Sequence, residues 1–179
     1  IGNNASNSVA TATAATILTT GNGIGKIDGG YESFCAIPTL GVNLKKVYCW
    51  GSNSNSVLGQ GPGQNYATLD LLDQPSEVTG VSADATSIDV GYTHTCAVVT
   101  GAVRCWGRNY GGSVTGNATN LNGEVPDPVT PGLPSVNTSL THGVAVSYGS
   151  TCAIVTSPAG GIRCFGENNL GTLGDGTYN

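Results

Sequence analysis

A unit of paired cysteines occurs three times in this 179-residue chain and constrains its fold more than any other feature. In each unit a cysteine opens a short apolar segment, a turn follows, and a second apolar segment ends in Cys-aromatic-Gly. The units run from Cys35 to Gly51, from Cys96 to Gly107 and from Cys152 to Gly166. The second cysteines stand at 49, 105 and 164, so the period is 56 and then 59 residues. All six cysteines of the chain belong to these units.

The residues between the cysteines indicate strands rather than helices. Repeats of roughly 40–60 residues are typical of propeller blades or of helical arrays. A helical array needs amphipathic stretches of about ten or more residues, and the repeats contain none. They contain short β-branched runs that are interrupted by Gly, Asn, Ser and Pro, which are strand and turn signals. The sequence therefore predicts an all-β chain of antiparallel strands in about three repeats.

Further motifs recur around the cysteines. A Pro-x-x-Val segment occurs at 75–78 and 126–129, and Gly-x-Asn with a Gly-rich tail follows each second cysteine. The pattern resembles the repeat of the regulator of chromosome condensation family. Residues 90–109 follow its Gly-x-x-His-x-Cys-Ala and Cys-Trp-Gly-x-Asn motifs almost residue for residue. The resemblance covers about residues 24–179 and implies a β-propeller with four-stranded blades, usually about seven of them.

The repeat count predicts an incomplete propeller. We expect an N-terminal extension at 1–23 and three propeller-type repeats at about 24–74, 75–125 and 126–179. Three repeats are too few to close a propeller of this family, so we expect an open arc with bare sheet edges. Exposed edges are templates for pairing with other chains. Missing sequence, a second copy or endless polymerisation would then close or continue the arc.

The middle unit predicts a β-hairpin of defined register. Pairing residues whose numbers sum to 201 places Cys96 opposite Cys105 and a two-residue turn at Thr100-Gly101. Cys96 and Cys105 then form a non-hydrogen-bonded pair, with Cα atoms about 4.5 Å apart, which is close enough for a disulfide. Extended to all three units, the pairing predicts the bridges Cys35–Cys49, Cys96–Cys105 and Cys152–Cys164. The alternative is six buried free thiols in a cytosolic propeller.

Composition bears on compartment and partners. Charged residues make up 9% of the chain and the net charge is −5. A low-charge chain rich in Gly, Asn and Thr with paired cysteines is typical of extracellular all-β proteins, so we predict an extracellular or cell-surface location. The six Lys and Arg residues are scattered, whereas nucleic-acid binding needs clustered cations. We therefore expect no nucleic-acid partner, and the absence of a long apolar run predicts no membrane insertion.

The residues that could carry chemistry predict a protein that is not an enzyme. The two histidines, His94 and His142, lack the supporting motifs of a catalytic triad. Asp175 lies in a Gly-Asp-Gly segment without the alternating acidic pattern of a calcium loop. We expect no catalytic residue, no metal and no cofactor. The large aromatic residue after each second cysteine is expected in the blade core, at Trp50, Trp106 and Phe165.

The N-terminal segment matches none of the repeats. Val9, Thr11 and Thr13 alternate with alanines, a pattern that suits an extended strand with two different faces. A strand containing Val9, Thr11, Thr13 and Ile17 could be donated to a neighbouring copy by strand addition. The alternatives are a mobile leader or linker, a closing strand within the same chain, and a helix.

Two classes of function fit these observations. The first is a non-enzymatic extracellular structural or adhesive protein, in the form of a self-assembling fibre subunit that neighbouring subunits complete. The second is a secreted protein-binding propeller module, of the inhibitor or receptor kind, or a fragment of a longer propeller. Self-association or another protein is the expected partner, and the sequence names no small-molecule ligand.

Overall fold

Three antiparallel β-sheets make up the computed structural model, which describes residues 21–41, 43–61, 71–81, 84–117, 124–129, 141–156 and 160–178. The first sheet contains β1 (Ile24–Gly29), β2 (Ser33–Pro38), β3 (Tyr48–Ser52) and β4 (Leu71–Glu77). The second contains β5 (Ala85–Val90), β6 (His94–Val99), β7 (Ala102–Arg108) and β8 (Glu124–Val129). The third contains β9 (Thr141–Val146), β10 (Ser150–Val155) and β11 (Gly161–Gly166). Each sheet is a meander whose strands lie side by side in chain order, as in a propeller blade.

The hairpin β6–β7 has the register that the sequence predicts. Val98 pairs with Val103 and Cys96 pairs with Cys105. Thr100 and Gly101 form the turn with φ angles of 49° and 76°. Positive φ at both central residues is the type I′ geometry, which matches the right-handed twist of the strands. The turn therefore fixes the register that brings the two cysteines together.

The glycine of each Cys-aromatic-Gly motif has a backbone that other residues adopt only with strain. The φ angles of Gly51, Gly107 and Gly166 are 104°, 112° and 111°. A Cβ on Gly51 would lie 2.3 Å from the carbonyl oxygen of Glu32. The backbone N–H of the residue after each glycine donates to a carbonyl in the turn between the first two strands. The N–H of Ser52, for example, donates to the carbonyl oxygen of Glu32 at 2.9 Å. Glycine is required because strand and turn approach so closely.

The asparagine of Gly-x-Asn holds the loop that follows each third strand. Asn53 Oδ1 accepts a hydrogen bond from the N–H of Leu58 at 3.0 Å, and Asn109 Oδ1 accepts one from Val114 at 2.9 Å. Leu58 and Val114 are completely buried as a result of this loop path. Asn168 makes the same bond to Leu173 N–H, at 3.1 Å. The motif thus places one aliphatic side chain per repeat beside the sheet.

The core lies between neighbouring sheets, which stack face to face. We call the face that carries the cysteines the trailing face, and the opposite face the leading face. One cluster joins the trailing face of the first sheet, with Ile37 and Val47, to the leading face of the second, with Ile88 and Trp106. A second cluster joins Cys96 on the trailing face of the second sheet to Phe165 on the leading face of the third. Each joint between sheets therefore repeats the same pair of faces.

The boundaries of the sheets differ from those of the sequence repeats. Residues 75–77 of the first Pro-x-x-Val segment lie in β4, and 126–129 lie in β8, so these segments end a sheet rather than begin one. The described residues give the third sheet three strands, against four in the other two. The proposed donor residues Val9, Thr11, Thr13 and Ile17 lie outside the described residues.

Candidate interaction surfaces

Three disulfides link the second and third strands of the three sheets. They join Cys35 to Cys49, Cys96 to Cys105 and Cys152 to Cys164. The Cα atoms of Cys96 and Cys105 are 4.1 Å apart, as expected for directly facing residues of a non-hydrogen-bonded pair. Three disulfides in so short a chain indicate an extracellular or secreted protein.

The aromatic residues that follow the second cysteines are buried, and Trp106 also links two sheets. Trp106 is completely buried, and its indole N–H donates to the carbonyl of Val57 at 2.7 Å. The hydroxyl of Thr95 donates to the same carbonyl at 2.9 Å. Trp50 and Phe165 are also buried. Trp106 and Phe165 belong to joints between sheets, whereas Trp50 packs with Ala36 and Tyr48 of its own sheet.

Two aspartates tie each sheet to the next, and the sequence reasoning missed them. Asp28 on β1 accepts a hydrogen bond from the N–H of Val90 in the second sheet at 2.6 Å. Asp89, at the same position in the second sheet, accepts one from Val146 in the third. The pKa of Asp89 is raised to about 6 in total: burial raises it most, the hydrogen bond from the Val146 N–H lowers it, and the neighbouring Asp28 also raises it. The signal was an aspartate three residues before each of the first two turn tyrosines.

His94 lies completely buried between the second and third sheets. Its Nε2 is 2.7 Å from the hydroxyl oxygen of Thr151, and its Nδ1 is 3.2 Å from that of Thr93. Burial lowers the pKa of His94 to about 4. At neutral pH the ring is therefore uncharged, and it links the second sheet to the third through Thr151.

The buried histidine predicts a loss of stability in acid. The pKa of His94 falls from 6.5 to about 4 on folding. The neutral ring therefore contributes fully to the unfolding free energy above pH 6.5, and this contribution is lost as the pH falls towards 4. The full difference corresponds to about 3 kcal/mol of unfolding free energy. We expect His94→Gln, which keeps a hydrogen-bonding nitrogen near Thr151, to lack this loss when denaturant midpoints are compared at pH 7 and pH 4.5.

The raised pKa of Asp89 works in the opposite direction and provides the control. The contribution of Asp89 to the unfolding free energy is present below pH 3.8 and is lost as the pH rises through about 6. His94→Gln should therefore retain the Asp89 slope, whereas Asp89→Asn should retain the acid loss of His94. Equal acid sensitivity of the parent and His94→Gln would show that His94 is protonated in the folded protein.

A row of tyrosines crosses all three sheets at the turns between their first and second strands. Tyr31, Tyr92 and Tyr148 lie in the turns between the first and second strands of the three sheets, and Tyr110 follows β7. The ring centroids are 5.0 Å apart for Tyr31 and Tyr92, and 5.3 Å apart for Tyr92 and Tyr148. Tyr110 contacts Tyr148 edge to face at 5.5 Å. We call these four residues the tyrosine row, and Tyr31, Tyr92 and Tyr148 are exposed.

The third sheet presents an open trailing face. Ile154 and Ile162, which pair across β10 and β11, are exposed on it. A hollow of about 240 Å³ lies there, lined by these two residues and by Val144, Ala145 and Cys152 among others. A second hollow of about 380 Å³ lies beside Tyr148 at the end of the tyrosine row. The third sheet thus presents an exposed apolar face and a hollow beside Tyr148.

The described residues contain neither a cluster of metal ligands nor a helix that could cross a membrane. Among the described residues, no group of three or more His, Cys, Asp and Glu side chains is placed to hold a metal ion. Asp175 accepts hydrogen bonds from the N–H and hydroxyl of Thr177, which lower its pKa, and so it shapes a turn. The side chain of His142 lies outside what the structure describes. Within the described part of the chain, no helix is long and apolar enough to cross a membrane.

The repeated stacked meanders define a β-propeller repeat protein with an open arrangement of blades. Residues 46–98 match the model of the regulator of chromosome condensation (RCC1) repeat. This segment therefore matches an RCC1-type repeat, in agreement with the motifs that recur around the cysteines. No curated protein sequence matches it significantly.

Solved structures agree on the fold. Human WBSCR16 is 17% identical with a TM-score of 0.68, and the match covers 88% of this chain and 39% of that one. Prp20p from Saccharomyces cerevisiae, studied for its binding to Gsp1p and histones, is 19% identical with a TM-score of 0.64, covering 87% and 36%. Yeast RCC1 (Prp20) bound to Kap60 is 17% identical with a TM-score of 0.62, covering 82% and 30%. This chain thus spans about a third of the length of these structures.

Proposed function

We propose that the chain is a non-enzymatic extracellular structural or adhesive protein, a self-assembling fibre subunit that neighbouring copies complete. The outer edge of β11 is the observation that carries the proposal. β4 pairs with β3 and β8 pairs with β7, but no described strand pairs with the corresponding edge of β11. Such an edge offers backbone N–H and C=O groups to a strand from another chain.

The N-terminal segment of another copy is the proposed donor of that strand. Residues 5–20 belong to none of the repeats, and Val9, Thr11 and Thr13 alternate with alanines. A strand of this pattern presents one β-branched face, to which Ile17 contributes, and one face of small side chains. Small side chains would let the strand lie close to a neighbouring loop while the β-branched side chains pack on a sheet.

Truncation tests the proposal. We expect the full chain to form large particles in light scattering and electron microscopy, and the chain lacking residues 1–20 to remain monomeric. A synthetic peptide of residues 5–20 should bind the truncated chain, and a scrambled peptide of the same composition should not. A full chain that stays a compact monomer at every concentration would refute the fibre. Assembly that survives truncation would refute strand donation alone.

A secreted protein-binding module is the second candidate, and the tyrosine row favours it. Exposed tyrosines are enriched in protein interfaces because they bury a large ring and keep a polar group. RCC1-like structures include Prp20 bound to Kap60. The test is iodination of Tyr31, Tyr92 and Tyr148 in purified monomer and in the native extracellular material. Equal labelling in the two would argue against a partner on this row.

A further inference from the structure

We propose that copies join head to tail, with the leading face of the first sheet of one copy docked on the trailing face of the third sheet of another. This inference rests on the proposed self-assembly and names the two surfaces that would carry it. The two joints within the chain serve as the template, because both place a trailing face against a leading face.

The trailing face of the third sheet exposes residues that the other sheets bury. Ile154 and Ile162 are 49% and 65% exposed. Their counterparts in the second sheet, Val98 and Val103, form the same cross-strand pair and are 0% exposed. The sequence is apolar at these positions in all three repeats, yet only the third lacks a described sheet on top. An exposed apolar patch of this kind marks an interaction site.

The leading face of the first sheet shows the same contrast at the other end. Ile27 is 63% exposed, whereas Ile88, which occupies the same position in the second sheet, is 7% exposed. Phe34 is 44% exposed and stacks on Trp50 with ring centroids 6.0 Å apart. Trp50 is already buried, so Ile27 and Phe34 form the surface that remains for a partner.

Two side chains that hydrogen-bond neighbouring sheets inside the chain have apolar counterparts on the outer faces of the first and third sheets. Inside the chain, Asp89 accepts a hydrogen bond from the next sheet, and Thr95 donates one to the loop of the preceding sheet. The position of Asp89 holds Ala145 in the third sheet, and the position of Thr95 holds Phe34 in the first. A joint between copies therefore buries no carboxylate or hydroxyl at these two positions, which would cost free energy without a partner.

The tyrosine row provides a third complementary feature between the first sheet of one copy and the third sheet of another. Inside the chain Tyr110, which follows the third strand of the second sheet, contacts Tyr148 of the next sheet. Asn169 occupies the position of Tyr110 in the third repeat and lines the 380 Å³ hollow beside Tyr148. The turn tyrosine of a following sheet would enter this hollow. Tyr31, 69% exposed at the start of the row, is the residue that a second copy would supply.

This joint is heterologous, because two different surfaces meet. Heterologous contacts form rings if the rotation closes and open filaments if it does not. The joint between copies repeats the joints inside the chain, and electron microscopy distinguishes a ring from a filament.

Cysteine cross-linking between two singly substituted proteins tests the joint. Val47 and Ile88, the internal counterparts of Ile162 and Ile27, lie in one cluster. Full-length Ile162→Cys and Ile27→Cys proteins are therefore mixed under mild oxidation, and we expect a cross-linked dimer that contains one of each. Either protein alone should cross-link at least about tenfold less. A cross-link that forms equally well in one variant alone would overturn the head-to-tail joint.

A charge substitution provides the second measurement. Ile162→Glu should weaken association at least about tenfold, because the joint would bury an unpaired carboxylate. Leu40→Glu is the matched control, since Leu40 is exposed in the turn after β2 and belongs to neither face. Both variants should keep the native bridges and near-ultraviolet circular dichroism.

The two proposals fail in distinguishable ways. A parent protein that stays monomeric overturns the fibre and the joint together. A parent that assembles, with Ile162→Glu assembling equally well and no mixed cross-link, overturns only the joint. A closed dimer with the mixed cross-link supports the joint and overturns the fibre.

Discussion

Reduction of the three disulfides is expected to unfold the protein in dilute buffer at room temperature. The bridges close short loops, with sequence separations of 14, 9 and 12 residues. Loops of this length each correspond to about 2–3 kcal/mol in the chain-entropy model. Their sum is comparable with the total stability of an ordinary domain, about 5–15 kcal/mol. Circular dichroism and tryptophan fluorescence with and without dithiothreitol measure the effect.

Single-bridge variants separate the bridges from general effects of the reductant. Replacing Cys96 and Cys105 by alanine should lower the unfolding free energy by about 2–3 kcal/mol from the loop, with a further loss because both side chains are completely buried. The same change at Cys152 and Cys164, which are partly exposed, should cost less. Unchanged midpoints together with six titratable thiols in the untreated protein would favour the free-thiol alternative.

Truncation of Trp106 is the substitution with the next largest expected effect. The side chain is completely buried between the first and second sheets and is hydrogen-bonded to Val57. Trp106→Ala should lower the unfolding free energy by about 3–5 kcal/mol, through lost burial and the cavity that remains. Guanidinium denaturation followed by circular dichroism is the suitable measurement, because fluorescence would lose one of the two tryptophans.

A more conservative change at the same position isolates the hydrogen bond. Trp106→Phe removes the indole donor and should cost far less than Trp106→Ala, because phenylalanine already occupies this position as Phe165 in the third sheet. The Val57 carbonyl keeps the Thr95 hydroxyl as a donor. Trp50→Phe is the matched control in the first sheet. If Trp106→Ala and Trp106→Phe cost the same, packing between the sheets is not the source of the stability.

The repeat in the sequence carried most of the information about the fold. Antiparallel strands, their pairing at Cys96 and Cys105, and the hairpin turn at Thr100-Gly101 follow from local residue types and from the period of two along a strand. Local geometry of this kind is readable because facing residues are close in sequence. The RCC1-like propeller class followed from the same motifs, which combine required glycines, asparagines and cysteines at fixed spacing.

Contacts between sheets could not be read in this way. The hydrogen bonds of Asp28 to Val90 and of His94 to Thr151 join residues 62 and 57 positions apart. The spacing of Asp28 from the turn tyrosine recurs at Asp89 but does not reveal the partner of either carboxylate. The tyrosine row becomes a row only when three turns are stacked. The tertiary structure alone assigns these roles, because a joint between sheets depends on which faces meet.

The same distinction applies to the ends of the stack. By itself the sequence determined that three similar blades form and that positions such as Ile154 and Ile162 are apolar in every repeat. Only the tertiary structure decided that these two side chains are exposed while Val98 and Val103 are buried. The physical reason is that an apolar face is buried by the sheet that follows it, and within the described residues the third sheet has no such neighbour.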